Sequence, residues 1–97
     1  MNKLKMDDLE VRENYIHHIA FPLGRVWFYL IAPEEEGKRL ETKLTQLKEQ
    51  HAIEFSATNS DGESSTGLCN LKQLSIHRDT SKAPVLYRIH GELELIT

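Results

Sequence analysis

Hydrophobic and polar residues follow a strand-like pattern over most of the chain. Residues 15–21 and 25–31 are two mainly apolar runs separated by Pro22-Leu23-Gly24. This arrangement is typical of a β-hairpin, because proline removes a backbone donor and glycine permits a positive φ. The second run is apolar at successive positions, which predicts an interior strand that is covered on both faces.

One helix is predicted over about 33–50. Pro33 suits a helix start, and three glutamates follow it at the positive end of the helix dipole. Leu40, Leu44 and Leu47 recur at i, i+4 and i+7, so they form one apolar stripe that can pack on a sheet. The opposite side is charged and solvated, with i,i+4 pairs such as Glu34 with Lys38.

The second half of the chain predicts three more strands, at 52–57, 68–78 and 85–97, with a polar loop at 58–67. In the last hairpin we expect Ile76 to lie opposite Tyr87 and Leu74 opposite Ile89, so that both pairs face the core. That register fails near Lys72 and Gly91, which predicts a bulge or a twist there.

These elements predict an α+β fold in a single domain, 1–97. An antiparallel sheet of about five strands carries one main helix on one face, in the order ββαβββ. Residues 1–13 are expected to form a flexible lead-in or a short helix. One face of such a sheet has no helix on it, and an uncovered face is where a small domain can most readily meet a partner.

Composition narrows the classes of function. The net charge of −3 disfavours nucleic-acid binding. The one cysteine, Cys69, cannot form an internal disulfide and is interpreted as a small, half-buried residue; together with the lack of a signal-peptide pattern it predicts a cytoplasmic protein. No apolar run approaches the ~20 residues that cross a bilayer, so no membrane association is expected.

The sequence contains no pattern typical of an enzyme or of a cofactor site. Glycine-rich phosphate loops, paired CxxC motifs, HExxH and GxSxG are all absent, so we expect no cofactor and lean against catalysis.

The one unusual feature of the composition is its five histidines in 97 residues. His17 and His18 are adjacent in a strand and are expected to point to opposite faces. A metal site joining one of them to His77 and His90 would need the first strand beside the last hairpin.

The leading hypothesis is a small protein-interaction or accessory module that acts as a homodimer or by binding a partner protein. The alternative is a small-ligand binder or an enzyme whose site lies between subunits. Trp27 and Tyr29 share one face of their strand, and the expected register places the polar residues of the last hairpin on the helix-free face. The candidate binding residues are therefore Trp27, Tyr29, His77, Arg88 and His90.

Overall fold

The computed structural model of the protein describes residues 1–96 and shows an antiparallel sheet with one helix. The predicted α+β architecture is confirmed, but the sheet has seven strands rather than about five, in the spatial order β2-β1-β5-β6-β7-β4-β3. The elements are β1 (Lys3–Met6), β2 (Leu9–Val11), β3 (Ile16–Ala20), β4 (Arg25–Pro33), α1 (Glu34–Lys48), β5 (Ile53–Thr58), β6 (Ser64–Asp79) and β7 (Leu86–Leu95).

The two additional strands come from the N-terminal segment, where a flexible lead-in or short helix was expected. Leu4 and Met6 alternate with polar residues in β1, as Leu9 and Val11 do in β2, and all four are buried. The turn between the strands has Asp7 at a φ of 52°. Alternation with period two therefore prevails over the mixed charges of this segment, because each strand buries one face.

The sheet must be strongly curved. β2 and β3 are its two edges, yet only residues 12–15, which include a 3₁₀ turn at Glu13–Tyr15, connect them. Such a connection spans at most about 19 Å, whereas the edges of a flat seven-stranded sheet would be roughly 29 Å apart. The sheet therefore curls toward an open barrel, and its concave side encloses the core.

The helix completes that core. Leu40, Leu44 and Leu47 are buried as predicted, and α1 packs mainly against β6, β7 and β4. In β4, Phe28 faces the core and is only 2 % exposed, whereas its neighbour Trp27 on the opposite face is 50 % exposed. β4 is an interior strand, but within residues 1–96 no second layer covers its outward side chains. No helix in the part of the chain described here is both long and apolar enough to cross a membrane.

The long β6–β7 hairpin differs in register from the prediction. Ile76 lies opposite Ile89, and Leu74 lies opposite Gly91, two residues away from the expected partners. Because a shift of two residues conserves the face of every side chain, the assignment of residues to the two faces is still correct. The register shifts between Leu71 and Gln73, which confirms the predicted bulge near Lys72.

Candidate functional site

The candidate site is the sheet surface that points away from α1. We call this surface the outer face and define it by the outward side chains of β3, β4, β6 and β7. In β4 and β7 they alternate with buried residues, and the pairing of the strands sets them in rows. The chemically distinctive members are His17, His18, Arg25, Trp27, Tyr29, Ile31, Lys72, Gln73, Ser75, His77, Asp79, Arg88, His90, Glu92 and Glu94.

A partly buried carboxylate, that of Glu92, fixes the orientation of the exposed indole. Trp27 and Glu92 are cross-strand partners, and the indole Nε1–H donates to Glu92 Oε1 at 2.7 Å. Arg25 donates to the other carboxylate oxygen of Glu92 at 2.6 Å. The Glu92 side chain is only 13 % exposed, so its charge is compensated by two donors rather than by bulk water. The indole is consequently a rigid, half-exposed apolar surface.

A second cluster surrounds Tyr29. The ring of His90 stacks on the Tyr29 ring at a centroid distance of 4.1 Å, and the ring of His17 meets it edge-on at 5.1 Å. Arg88 Nη1 donates to the Tyr29 hydroxyl oxygen at 2.9 Å, while Arg88 Nε donates to Asp79 Oδ2 at 3.0 Å. Side chains from four strands are thus joined in one contiguous arrangement.

Hydrogen bonds perturb the two charged members of this cluster. Asp79 accepts hydrogen bonds from the hydroxyl and the backbone N–H of Ser81 and from Arg88, which together hold the pKa of its carboxyl well below the usual range. Hydrogen bonds to Tyr29 and Asp79 raise the pKa of the Arg88 guanidinium. Both groups therefore stay ionised under all mild conditions, and Arg88 holds the Tyr29 hydroxyl in place.

A bulge in β3 brings both adjacent histidines to the outer face, where opposite faces were expected. Residues in this strand lose strict alternation because the register shifts between Ile16 and His18. Ile16 and Ile19 are both buried, whereas His17 and His18 between them are both exposed. The extra residue of a bulge removes the period of two on which the expectation depended.

All five predicted binding residues lie on the outer face. Tyr29, Arg88 and His90 are in direct contact, Trp27 stands in the next row of the sheet, and His77 pairs with Arg88 in the β6–β7 ladder. Sequence reasoning missed Asp79 and Glu92, two of the residues that fix them; the other two are Arg25 and His17. The alternation of Glu92 with Leu93 predicted an outward carboxylate, but its partners depend on β4 lying beside β7, which no local pattern gives.

Ion pairs make the outer face electrically neutral. It carries three cations, Arg25, Lys72 and Arg88, and three anions, Asp79, Glu92 and Glu94. Arg25 pairs with both glutamates, Lys72 with Glu94, and Arg88 with Asp79. The chain has a net charge of −3 with neutral histidines, so its excess negative charge lies elsewhere on the surface.

A shallow groove of about 630 Å³ opens beside the half-exposed Trp27, and the core-facing residues Phe28, Leu74 and Gly91 form part of its wall. Its outward-facing lining residues are Trp27, Lys72, Gln73, Ser75, His90 and Glu92, and Lys48 at the end of α1 also borders it.

The strand that carries His17 and His18 pairs with β4 rather than with the last hairpin, so the adjacency required by a three-histidine site is not formed. Among residues 1–96, no three His, Cys, Asp or Glu side chains are grouped so that they could hold a metal ion.

Comparison with known proteins does not identify a relative: no family model matches the chain, and neither does any curated protein or solved structure.

Proposed function

We propose that this protein is a non-enzymatic interaction module that associates with a second copy of itself through the outer face. The observation that carries the proposal is Trp27, which is half exposed at an uncovered sheet surface while Glu92 and Arg25 hold its ring in place. Exposed tryptophan and tyrosine with arginine nearby are the residues that dominate binding energy at protein interfaces. A fixed indole loses little conformational entropy on binding, which favours an interface role.

The charge of the outer face favours a second copy as the partner. In a two-fold symmetric dimer the same patch meets itself, so any excess charge on that patch is doubled and repels. Here the three cations and three anions are paired within each copy. The outer face is therefore a region where two copies of an acidic protein can approach without like-charge repulsion.

The size of the outer face indicates a weak dimer. β3, β4 and β7 have five, nine and ten residues, and β6 pairs with β7 over residues 69–79, which at the usual strand spacings gives a flat footprint of roughly 500 Å². Stable complexes bury about 800 Å² on each partner. We therefore expect reversible association with a dissociation constant in the micromolar range or weaker, which corresponds to about 8 kcal/mol or less.

Sedimentation velocity over a concentration series tests this proposal. Replacing Trp27 by alanine removes the central anchor and should weaken association by about tenfold or more, as for an interface hot spot. The matched control is Leu23→Ala, because Leu23 is fully exposed in the turn between β3 and β4 and lies off the sheet. Equal weakening by both variants, or a wild-type protein that stays monomeric near millimolar concentration, would contradict the proposal.

The groove supports a second candidate function, the binding of a small planar ligand against Trp27. Its volume of about 630 Å³ falls within the range of ligand sites, and Gln73, Ser75 and His90 offer hydrogen-bonding groups beside the indole. Trp27 is the only tryptophan in the chain, so its fluorescence reports on this groove alone. Saturable quenching by a member of a fragment library at dilutions where the protein is monomeric would favour this function.

A further inference from the structure

The distribution of histidines on the surface is strongly uneven. Four of the five, His17, His18, His77 and His90, lie on the outer face, and all four are exposed in the single protomer. The fifth, His51, follows the C-terminal end of α1 and lies off the outer face. Histidine is the side chain that changes charge between about pH 5 and 8. The proposed interface therefore has most of the chain's pH-sensitive groups.

The fixed charges around these histidines do not neutralise added positive charge. His90 stands between Arg88 and Glu92 along β7 and opposite Ser75 in β6, and β3 and β4 contribute His17, His18 and Tyr29 on its other side. Every carboxylate of the outer face already has a cationic partner. The charged groups facing the histidines are Arg25, Lys72, Arg88, Asp79, Glu92 and Glu94.

We propose that acidification separates the two copies by charging these histidines, an inference that rests on the self-association proposed above. Near neutral pH the outer face has no net charge. Toward pH 5 each copy gains up to four positive charges, whereas carboxylates in general keep their charge until about pH 4. Two positively charged faces then oppose each other in a dimer, and their charges are partly removed from water.

The free protomer accommodates the same charges more easily. In it the four histidines are exposed to water. The dimer consequently binds fewer protons than two separate copies, so lowering the pH shifts the equilibrium toward monomers. While a histidine is protonated in the free protomer and neutral in the dimer, it raises the dissociation constant by about tenfold for each unit by which the pH falls.

The experiment measures the dissociation constant by sedimentation at about pH 7.5 and about pH 5.5, with a chelator present and constant ionic strength. The wild-type constant should rise by about tenfold or more at the lower pH. In the double variant His17→Gln with His90→Gln, two of the titrating groups are replaced by neutral amides, so the rise should be clearly smaller. His51→Gln is the matched control and should respond as the wild type does. Circular dichroism at both pH values establishes that the protomer stays folded.

These experiments distinguish a failure of the pH response from a failure of the proposed self-association. A dimer that forms near neutral pH and keeps its dissociation constant in acid would overturn the pH response and leave self-association intact. The same holds if His51→Gln removes the response as fully as the double variant does. A wild-type protein that is monomeric at both pH values would overturn self-association and the pH response together.

Discussion

The ring of Phe28 in β4 lies directly against Gly91, its cross-strand partner in β7. A Cβ atom at position 91 would lie within 2.7 Å of three carbons of that ring, so only glycine fits beneath the phenyl group. Phe28 is 2 % exposed and belongs to the core, and it therefore cannot move away into solvent. The aromatic ring covers the backbone of the glycine, as it does in other sheets where a glycine faces an aromatic residue.

This contact predicts that Gly91→Ala destabilises the protein by about 1–3 kcal/mol, the usual cost of overpacking a core. The measurement is equilibrium unfolding in urea. The decisive comparison repeats the substitution in a Phe28→Leu background, because leucine lacks the ring atoms that the new methyl group meets. A smaller penalty there supports the contact, and an equal penalty in both backgrounds would show that its cause is something other than the ring.

A second glycine in contact with an aromatic ring predicts an unusual response in α1. Ala is ordinarily favoured over Gly in a helix by about 1 kcal/mol. At Gly37, however, a Cβ atom would lie within 2.6 Å of three carbons of Tyr87, which is buried in β7. We expect Gly37→Ala to lower the free energy of unfolding instead of raising it. The control is Glu41→Ala on the exposed side of the same helix, which should change stability by less than about 0.5 kcal/mol.

Local patterns predicted the helix and the hairpins near it, because a leucine stripe and a Pro-Leu-Gly turn act within a few residues. The N-terminal hairpin was missed although Leu4, Met6, Leu9 and Val11 alternate around two aspartates, since strands of three or four residues give little signal. The curvature of the sheet follows from β2 and β3 being its two edges, a relationship between distant segments that no local window contains.

The site was predictable as a set of outward residues but not as a set of contacts. Face assignments need only a period of two, so Trp27, Tyr29 and His90 were placed correctly. Which side chains contact each other, in contrast, depends on the order of the strands in the sheet. Glu34, expected to pair with Lys38 along the helix, instead accepts hydrogen bonds from Arg78 in β6. The expectation that His17 and His18 point to opposite faces was wrong, because a bulge cannot be recognised before the neighbouring strand is known.

Cys69 predicts a loss of stability at alkaline pH. Its side chain is fully buried rather than half-buried, and burial, followed by the charge of Asp7, raises the pKa of the thiol to about 11. In the unfolded chain a cysteine ionises near pH 8.5. Between these values only the unfolded state loses the proton, so the free energy of unfolding should fall as the pH rises from about 8.5 toward 11.

Unfolding measurements on Cys69→Ala test that assignment. The variant should lack the part of the alkaline decline that the thiol causes, whatever its stability at neutral pH. A disulfide reagent such as Ellman's provides a second readout, because a buried, protonated thiol reacts only when the structure opens. Rapid modification of the folded protein at neutral pH would contradict the burial of Cys69.

The lowered pKa of Asp79 predicts that the protein loses stability at acidic pH. Its folded pKa is held below the ordinary value of 3.8 by Ser81 and then by Arg88. As the pH falls below about 4, the unfolded state takes up the proton first, so the stabilisation is present above that pH and is lost on further acidification. Asp79→Asn should therefore have a lower free energy of unfolding than the wild type at neutral pH, and this difference should shrink steadily below pH 4.

Asp61→Asn, in the exposed loop after β5, is the control, and its free energy of unfolding should differ little from that of the wild type at any pH. If the free energies of unfolding of wild type and Asp79→Asn differ by a constant amount from pH 7 down to about pH 2, the Asp79 carboxylate does not stabilise the fold through its charge.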